Sequence, residues 1–352
     1  MKVISSKRVS DSCSDNRKSK IQNRKWVGII ALVVTFAMCG AVAQAQQPKK
    51  VPRIGYVSGT GDASNQGPNV DGLRQGLRDL GYVEGKNFVI EFRGAEGKTG
   101  LIPSLVNELV QLKVDVLVVP TSLLAIRAAK QATKTIPIVM VTLVDPIANG
   151  LVDSLARPGG NITGLATLQQ DLSGKRLELL AEVVPRISRV GILWDAEGSF
   201  SAHGFKEYET VARGLKIQLQ SLEVSRPNPD LEGAFQAAAK GGSRAVITIT
   251  NNLLFRNSKR IVDLAIKNRL PSMYEGRTWV EAGGLISYST DDREVFRRAA
   301  TYVDKILKGV KPGDLPVEQP TKFEFVINLK TAKQIGVTIP PNMLARADQV
   351  IK

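Results

Sequence analysis

Short apolar, β-branched runs alternate with segments of helical spacing along this chain, and the whole alternation occurs twice. No other feature narrows the fold as much, because strands alternating with helices imply βαβ units and a parallel sheet. In the first half, residues 53–59 read as a strand running into a glycine-containing turn. Residues 69–80 place Val70, Leu73, Leu77 and Leu80 at helical spacing, and Gly81 closes that helix. Residues 88–92 alternate, residues 101–112 carry one apolar face, and residues 114–120 form a third strand. A third helix over 123–133 and a buried strand over 136–143 complete the set.

The stretch 145–167, DPIANGLVDSLARPGGNITGLAT, separates the halves. Asp145-Pro146 opens a turn, residues 147–155 have helical spacing, and Pro158-Gly159-Gly160-Asn161 must stop that helix. Residues 162–166 read as an extended piece too short and irregular for a full strand. After it the rhythm restarts. Helices are expected over 174–184, 205–215, 230–240, 260–268, 295–307 and 329–336, with a short one after Pro340-Pro341. Strands are expected at 189–195, 217–224, 245–250, 271–275, 283–288 and 323–327. The expected class is α/β, with two Rossmann-like lobes of parallel sheet joined by a hinge.

Charge and targeting bound the function. The formal net charge is +15, but residues 1–45 hold eight Lys/Arg against two Asp, and the rest carries 40 basic and 31 acidic residues. No block of five or six like charges appears and no DNA-reading module is visible, so a nucleic-acid partner is not expected. Arg17, Lys18, Lys20, Arg24 and Lys25 precede an apolar stretch of 14 residues, Val27 to Gly40, and Ala43-Gln44-Ala45 reads as a cleavage site. That stretch is shorter than the roughly 20 residues a membrane span needs. Residues 1–45 are therefore expected to be a signal peptide cleaved after Ala45, residues 46–52 a linker, and the mature chain periplasmic. Both cysteines, Cys13 and Cys39, fall in the leader, and His203 is the only histidine. Disulfide, thiolate and His-rich metal chemistry are thereby excluded from the mature chain, and no metal, cofactor or catalytic residue is expected.

Ligands in open parallel sheets bind outside the C-terminal ends of the strands. That rule selects Ser58, Thr60, Thr121, Ser122 and Asp145 in the first half. In the second it selects Trp194, Asp195, Phe200, Asn251, Tyr274, Glu275 and Tyr288. Hydroxyls and helix-start N–H groups suit an anion. The carboxylates suit an ammonium group, and the aromatics suit an apolar wall.

Four segments carry a family resemblance: 71–87 (DGLRQGLRDLGYVEGKN), 128–139 (AAKQATKTIPIV), 145–165 (DPIANGLVDSLARPGGNITGL) and 281–351, which begins EAGGLISYSTDDREVFRRAATYVDKILKG. The chain resembles ABC transporter substrate-binding proteins of the family that includes tryptophan- and phenylalanine-binding members. The resemblance implies a type I periplasmic-binding-protein fold with a three-segment hinge. Lobe 1 would comprise 53–163 plus 289–317, and lobe 2 would comprise 168–283 plus 322–352. It implies a monomer that takes a small solute and serves an inner-membrane permease with its ATPase. Aromatic amino-acid binders are similar at Thr121-Ser122. They carry Asp-Asn-Thr where this chain has Thr250-Asn251-Asn252, so an α-ammonium would have to meet Asp195 or Glu275. Two other uses of the same architecture stay open: ligand sensing for a membrane receptor, and an exported hydrolase relying on His203.

Overall fold

The computed structural model describes residues 50–59 and 61–352, so the expected signal peptide over residues 1–45 and the candidate residue Thr60 lie outside the described residues. The first rhythm forms β1 (Arg53–Ser58), α1 (Pro68–Asp79), β2 (Val89–Gly94), α2 (Ile102–Gln111), β3 (Val116–Pro120), α3 (Leu123–Ala132), β4 (Ile138–Thr142) and β5 (Ile162–Ala166). The sheet is parallel throughout, in the order β2-β1-β3-β4-β5. Every residue of β3, β4 and β5 is buried, as expected of strands covered by helices on both faces.

The second rhythm forms α4 (Ser173–Val183), β6 (Arg189–Asp195), α5 (Ser199–Leu215), β7 (Gln218–Val224), α6 (Leu231–Lys240), β8 (Val246–Thr248), α7 (Asn252–Arg256), α8 (Ser258–Lys267), β9 (Ser272–Tyr274), α9 (Arg277–Glu281) and β10 (Ile286–Thr290). Then come α10 (Asp292–Leu307), β11 (Phe323–Asn328), α11 (Leu329–Ile335), α12 (Pro341–Arg346) and β12 (Gln349–Ile351). The order is β12-β11-β10-β9-β8-β6-β7, parallel except for the antiparallel β10–β11 pair.

The chain passes three times between the sheets: after β5, after β10 and before β11. The middle passage matters most for packing. Helix α10 follows a strand of the second sheet, yet its Val295, Phe296, Ala299 and Val303 share a core with Ile54, Leu73 and Leu77 of the first. The first and third connections are tied together, and α10 is tied to the third. Ala166 N donates to Glu318 O (2.9 Å), Glu318 N to Gly164 O (3.0 Å), and Tyr302 OH to Pro316 O (2.7 Å). Two α/β lobes joined by three hinge segments are thus the observed architecture.

The crossing stretch departs from expectation in two ways. Residues 147–155 are not a helix. Asp145 Oδ1 instead accepts N–H groups from Ile147 (2.8 Å) and Ala148 (3.2 Å), and Gly150 turns with φ +64°. The apolar spacing there serves a turn that buries Leu151 and Val152 in the first lobe's core. Residues 162–166 are a complete edge strand, paired with β4 over all five positions. Gly164 makes this possible. It has φ +139°, and a Cβ there would overlap Met140 O and sit 2.7 Å from Met140 N. The irregularity that reads as weak strand propensity is the close approach of two backbones. The short elements α7, α9 and β12 show no periodicity of their own.

Gly164→Ala should destabilise the fold by on the order of 3 kcal/mol, since both a positive φ and a backbone overlap must be relieved. A melting temperature within a degree of wild type would show that β5 tolerates a side chain there.

Candidate functional site

The loops at the C-terminal strand ends approach one another across the gap between the sheets. Asn252, in the first turn of α7, lies against Gly59 at the end of β1, where an added Cβ would sit 3.0 Å from Asn252 Nδ2. In the first lobe, Ser58 closes β1 and is half-buried. Thr121 is exposed with φ +52°, and Ser122 caps α3 by accepting the Ala125 N–H (3.2 Å). Asp145 is exposed, with Oδ1 committed to the turn described above.

In the second lobe two buried polar clusters replace what the sequence presents as free carboxylates. Asp195, at the end of β6, is fully buried. Its Oδ2 accepts from Arg226 Nη2 (3.0 Å), Arg226 Nε (3.2 Å) and Asn251 Nδ2 (2.7 Å), and its Oδ1 accepts from Glu197 N (3.1 Å). Asn251 uses its carbonyl to cap α7 through Leu254 N (3.0 Å). One asparagine therefore starts a helix and braces a strand-end acid.

The second cluster centres on Arg176 of α4, which is 0% exposed. Its Nε donates to Tyr288 O (2.8 Å), and Nη1 donates to Gln169 O (2.8 Å) and Glu275 Oε1 (3.0 Å). Its Nη2 donates to Gln169 Oε1. Gln169 Nε2 passes the network on to Thr290 Oγ1 (3.1 Å), and Glu275 Oε2 accepts Thr250 N (2.7 Å). Burial raises the Glu275 carboxyl above its ordinary range, against the opposing pull of Arg176 and the Thr250 N–H. Burial likewise pushes the nearby Tyr208 phenol up to about 12.

The aromatic candidates are spent on packing. Trp194 stacks on Phe205 (5.1 Å) and donates Nε1–H to Ser221 Oγ (2.7 Å). Tyr274 is buried and stacks on Trp279 (4.9 Å), and Tyr288 leans on Phe323 (5.8 Å). Phe200 lies in the first turn of α5. The structure thus brings Asp195 to Asn251, and Glu275 to the Tyr288 backbone, but sets Trp194, Tyr274 and Tyr288 in separate packing contacts. Sequence reasoning missed Arg176, Gln169 and Arg226. Arg176 did carry a signal: Leu179, Leu180 and Val183 follow it at i+3, i+4 and i+7, which puts the arginine on the apolar stripe.

A third group spans both lobes. Asp171 feels Glu207 of α5 and Asp145 of the first lobe. Partial burial first, then these two charges, hold its carboxyl above the ordinary range, with His203 opposing. His203 itself is exposed, 3.8 Å from Glu207. Among the described residues no group of three or more His, Cys, Asp or Glu could hold a metal ion, and no helix is long and apolar enough to cross a membrane.

Comparison with known proteins places this geometry. The family model described as ABC transporter substrate binding protein matches residues 60–351. A tyrosine-binding protein of Clostridioides difficile is 28% identical over 284 residues, covering 77% of this chain and 78% of that protein. A conserved domain protein from Vibrio cholerae superposes with a TM-score of 0.77 at 28% identity, covering 86% of this chain and all of that one. An ABC domain from Streptococcus pneumoniae, solved in complex with L-Trp, gives 0.72 at 26% identity, covering 85% of this chain and 100% of that one.

Arg176→Met should lower unfolding free energy by about 3–5 kcal/mol, because it leaves the Glu275 carboxylate buried without its cation. Arg176→Met/Glu275→Gln should recover part of that loss, and additive losses in denaturant titrations would show the two residues to be uncoupled. Asp171→Asn should raise the melting temperature at neutral pH. A carboxyl with a raised folded pKa loses stability as pH rises past its unfolded value, so the gain should fade below about pH 4, where the aspartate is protonated in both states. A gain independent of pH would point to packing instead.

Proposed function

The chain belongs to the ABC transporter substrate-binding protein family, whose model spans nearly all of its described residues, and on that premise we propose that it is the solute-binding component of an ABC importer, not an enzyme. It captures a small solute between its two lobes and hands it to an inner-membrane permease driven by an ATPase. After export and removal of residues 1–45, it works as a monomer in the periplasm. Lobe 1 is formed by residues 53–163 with 289–317, and lobe 2 by residues 168–283 with 322–352. The observation that carries the reading is the pairing of strand-end loops across the gap, Gly59 with Asn252, in a molecule whose sheets are joined by three hinge segments. Such a joint lets the lobes swing while each keeps its own core, and a solute that touches both lobes shifts the population towards the closed form.

The solute is aromatic or amino-acid-like. The tyrosine-binding relative and the L-Trp complex support this class, and Thr121 and Ser122 with the Asn251 loop are the polar groups in place to meet it. The detail differs from an ordinary amino-acid site. Asp195 and Glu275 are each held by a guanidinium. An α-ammonium would have to compete with Arg226 or Arg176 for its counter-charge, so this chain favours a solute that does not need a free carboxylate from lobe 2.

Titration with L-Tyr, L-Trp, phenylacetate and 4-hydroxyphenylacetate tests the proposal. A solute at 100 times its dissociation constant should stabilise the protein by about 2.7 kcal/mol, or several degrees in melting temperature, and should shrink the radius of gyration in X-ray scattering. A panel that leaves both quantities unchanged would overturn solute capture of this class. A shift with the acids and none with the amino acids would identify the two arginine-held carboxylates as the reason.

A further inference from the structure

Several hollows are left over by this account, and one of them spans both lobes. It lies between the loop after β2 and the segments after β7 and β8, towards the sheet edges opposite β5 and β12. It encloses about 490 Å³ and is lined by Lys98, Thr99 and their neighbours from the first lobe and by Arg226, Asn252, Leu253 and Arg256 from the second. Its lining includes three cationic side chains and no Asp or Glu.

Two of the three cations are already engaged. Lys98 Nζ is 3.3 Å from the Glu96 carboxylate, and Arg226 Nη2 is 3.0 Å from Asp195. Arg256 has no carboxylate partner among the described residues. Its guanidinium reaches from α7 across the gap and lies over Gly97, where an added Cβ would overlap Nη1 and sit 2.7 Å from Cζ. Gly97 also has φ +79°, so the position is doubly suited to glycine, and the bare backbone is what lets the guanidinium cross. Asn252 and Arg256 are four residues apart on α7, hence on one face, and each meets a glycine of the first lobe. In an adjoining hollow, Asp230 has Oδ1 committed to the Gly233 N–H and Arg260 is paired with Glu232. Neither group neutralises Arg256.

The geometry points to this cavity as an oxyanion site at the mouth of the cleft, in which a carboxylate or phosphate group sits on the Arg256 guanidinium beside Lys98 and so joins the two lobes. A planar guanidinium with its fork unspent is the side chain best matched to such a group. The site adjoins the Asn251 loop assigned to the solute, since Asn252 and Leu253 line it; a free anion there goes beyond solute capture, whereas a solute's tail rests on that reading. Its occupant is either a free inorganic anion or the acidic tail of a solute whose body lies in the cleft.

The purified protein, wild type, Arg256→Ala and Arg256→Lys, is titrated with sodium phosphate at constant ionic strength, and separately with 4-hydroxyphenylacetate and its uncharged amide. Melting temperature and calorimetric heat are the readouts. Arg256 is exposed, so the variants should melt with wild type when no anion is present. Saturable phosphate binding, weakened about tenfold or more in Arg256→Ala and less in Arg256→Lys, establishes the site for a free anion. Preference for the acid over its amide, lost in Arg256→Ala, establishes it for a solute's tail. No response to either probe, a response that does not saturate, or one that is the same in Arg256→Ala overturns the inference.

Discussion

A single buried guanidinium holds the second lobe to its hinge. Arg176 is sealed from solvent, and its donors reach the first connecting segment at Gln169, the strand leading into the second at the Tyr288 carbonyl, and the strand-end acid Glu275. A charge buried to this depth is tolerable only when paired and hydrogen-bonded, since its desolvation amounts to several kcal/mol. The network therefore fixes where three separate stretches of chain must sit. Glu275 in turn holds the Thr250 N–H, which sets the start of the loop bearing Asn251 and Asn252. The hinge and the wall of the cleft are thus two ends of one hydrogen-bonded unit.

Close backbone approach is the complementary device. Where polar networks position loops, glycines let them meet. Gly164 brings β5 against β4 beside the hinge, and Gly59 and Gly97 receive Asn252 and Arg256 at the cleft. The short helix α7 connects these roles. Asn251 caps it and braces Asp195, and its exposed face carries both residues that touch the other lobe. A solute-binding protein needs lobes that are rigid within and loosely coupled between. The hydrophobic cores assigned to each sheet supply the first property, and the contacts that Asn252 and Arg256 make at the cleft are polar.

Much of the architecture was legible in the residues. The mostly apolar, β-branched runs over 114–120 and 136–143 declared buried parallel strands, because a strand covered on both faces need not alternate with polar residues. The strand-end rule also led to Ser122, Asp195, Asn251 and Glu275, all of which sit at the ends of strands or the starts of helices. Their chemistry was hidden. Asp195 and Glu275 look like free acids in the sequence, and their guanidinium partners are 31 and 99 residues away. Trp194, Tyr274 and Tyr288 look like a binding wall, and each has its ring committed to a packing partner. The stretch 147–155 shows the limit of periodicity, since a turn that buries Leu151 and Val152 gives the same spacing as a helix.

What the sequence determined by itself was local and repetitive: the strand–helix rhythm, the two halves, the capping residues and the family resemblance. Those follow from side-chain period and backbone preference, which act within about ten residues. What only the tertiary structure decided was long-range pairing. It turned β11 antiparallel to β10 and gave Asp195 and Glu275 each a cation. It also left Arg256 without one. Charge pairing depends on which loops share a small volume, and that is fixed by the packing of whole sheets, not by any property a residue carries along the chain.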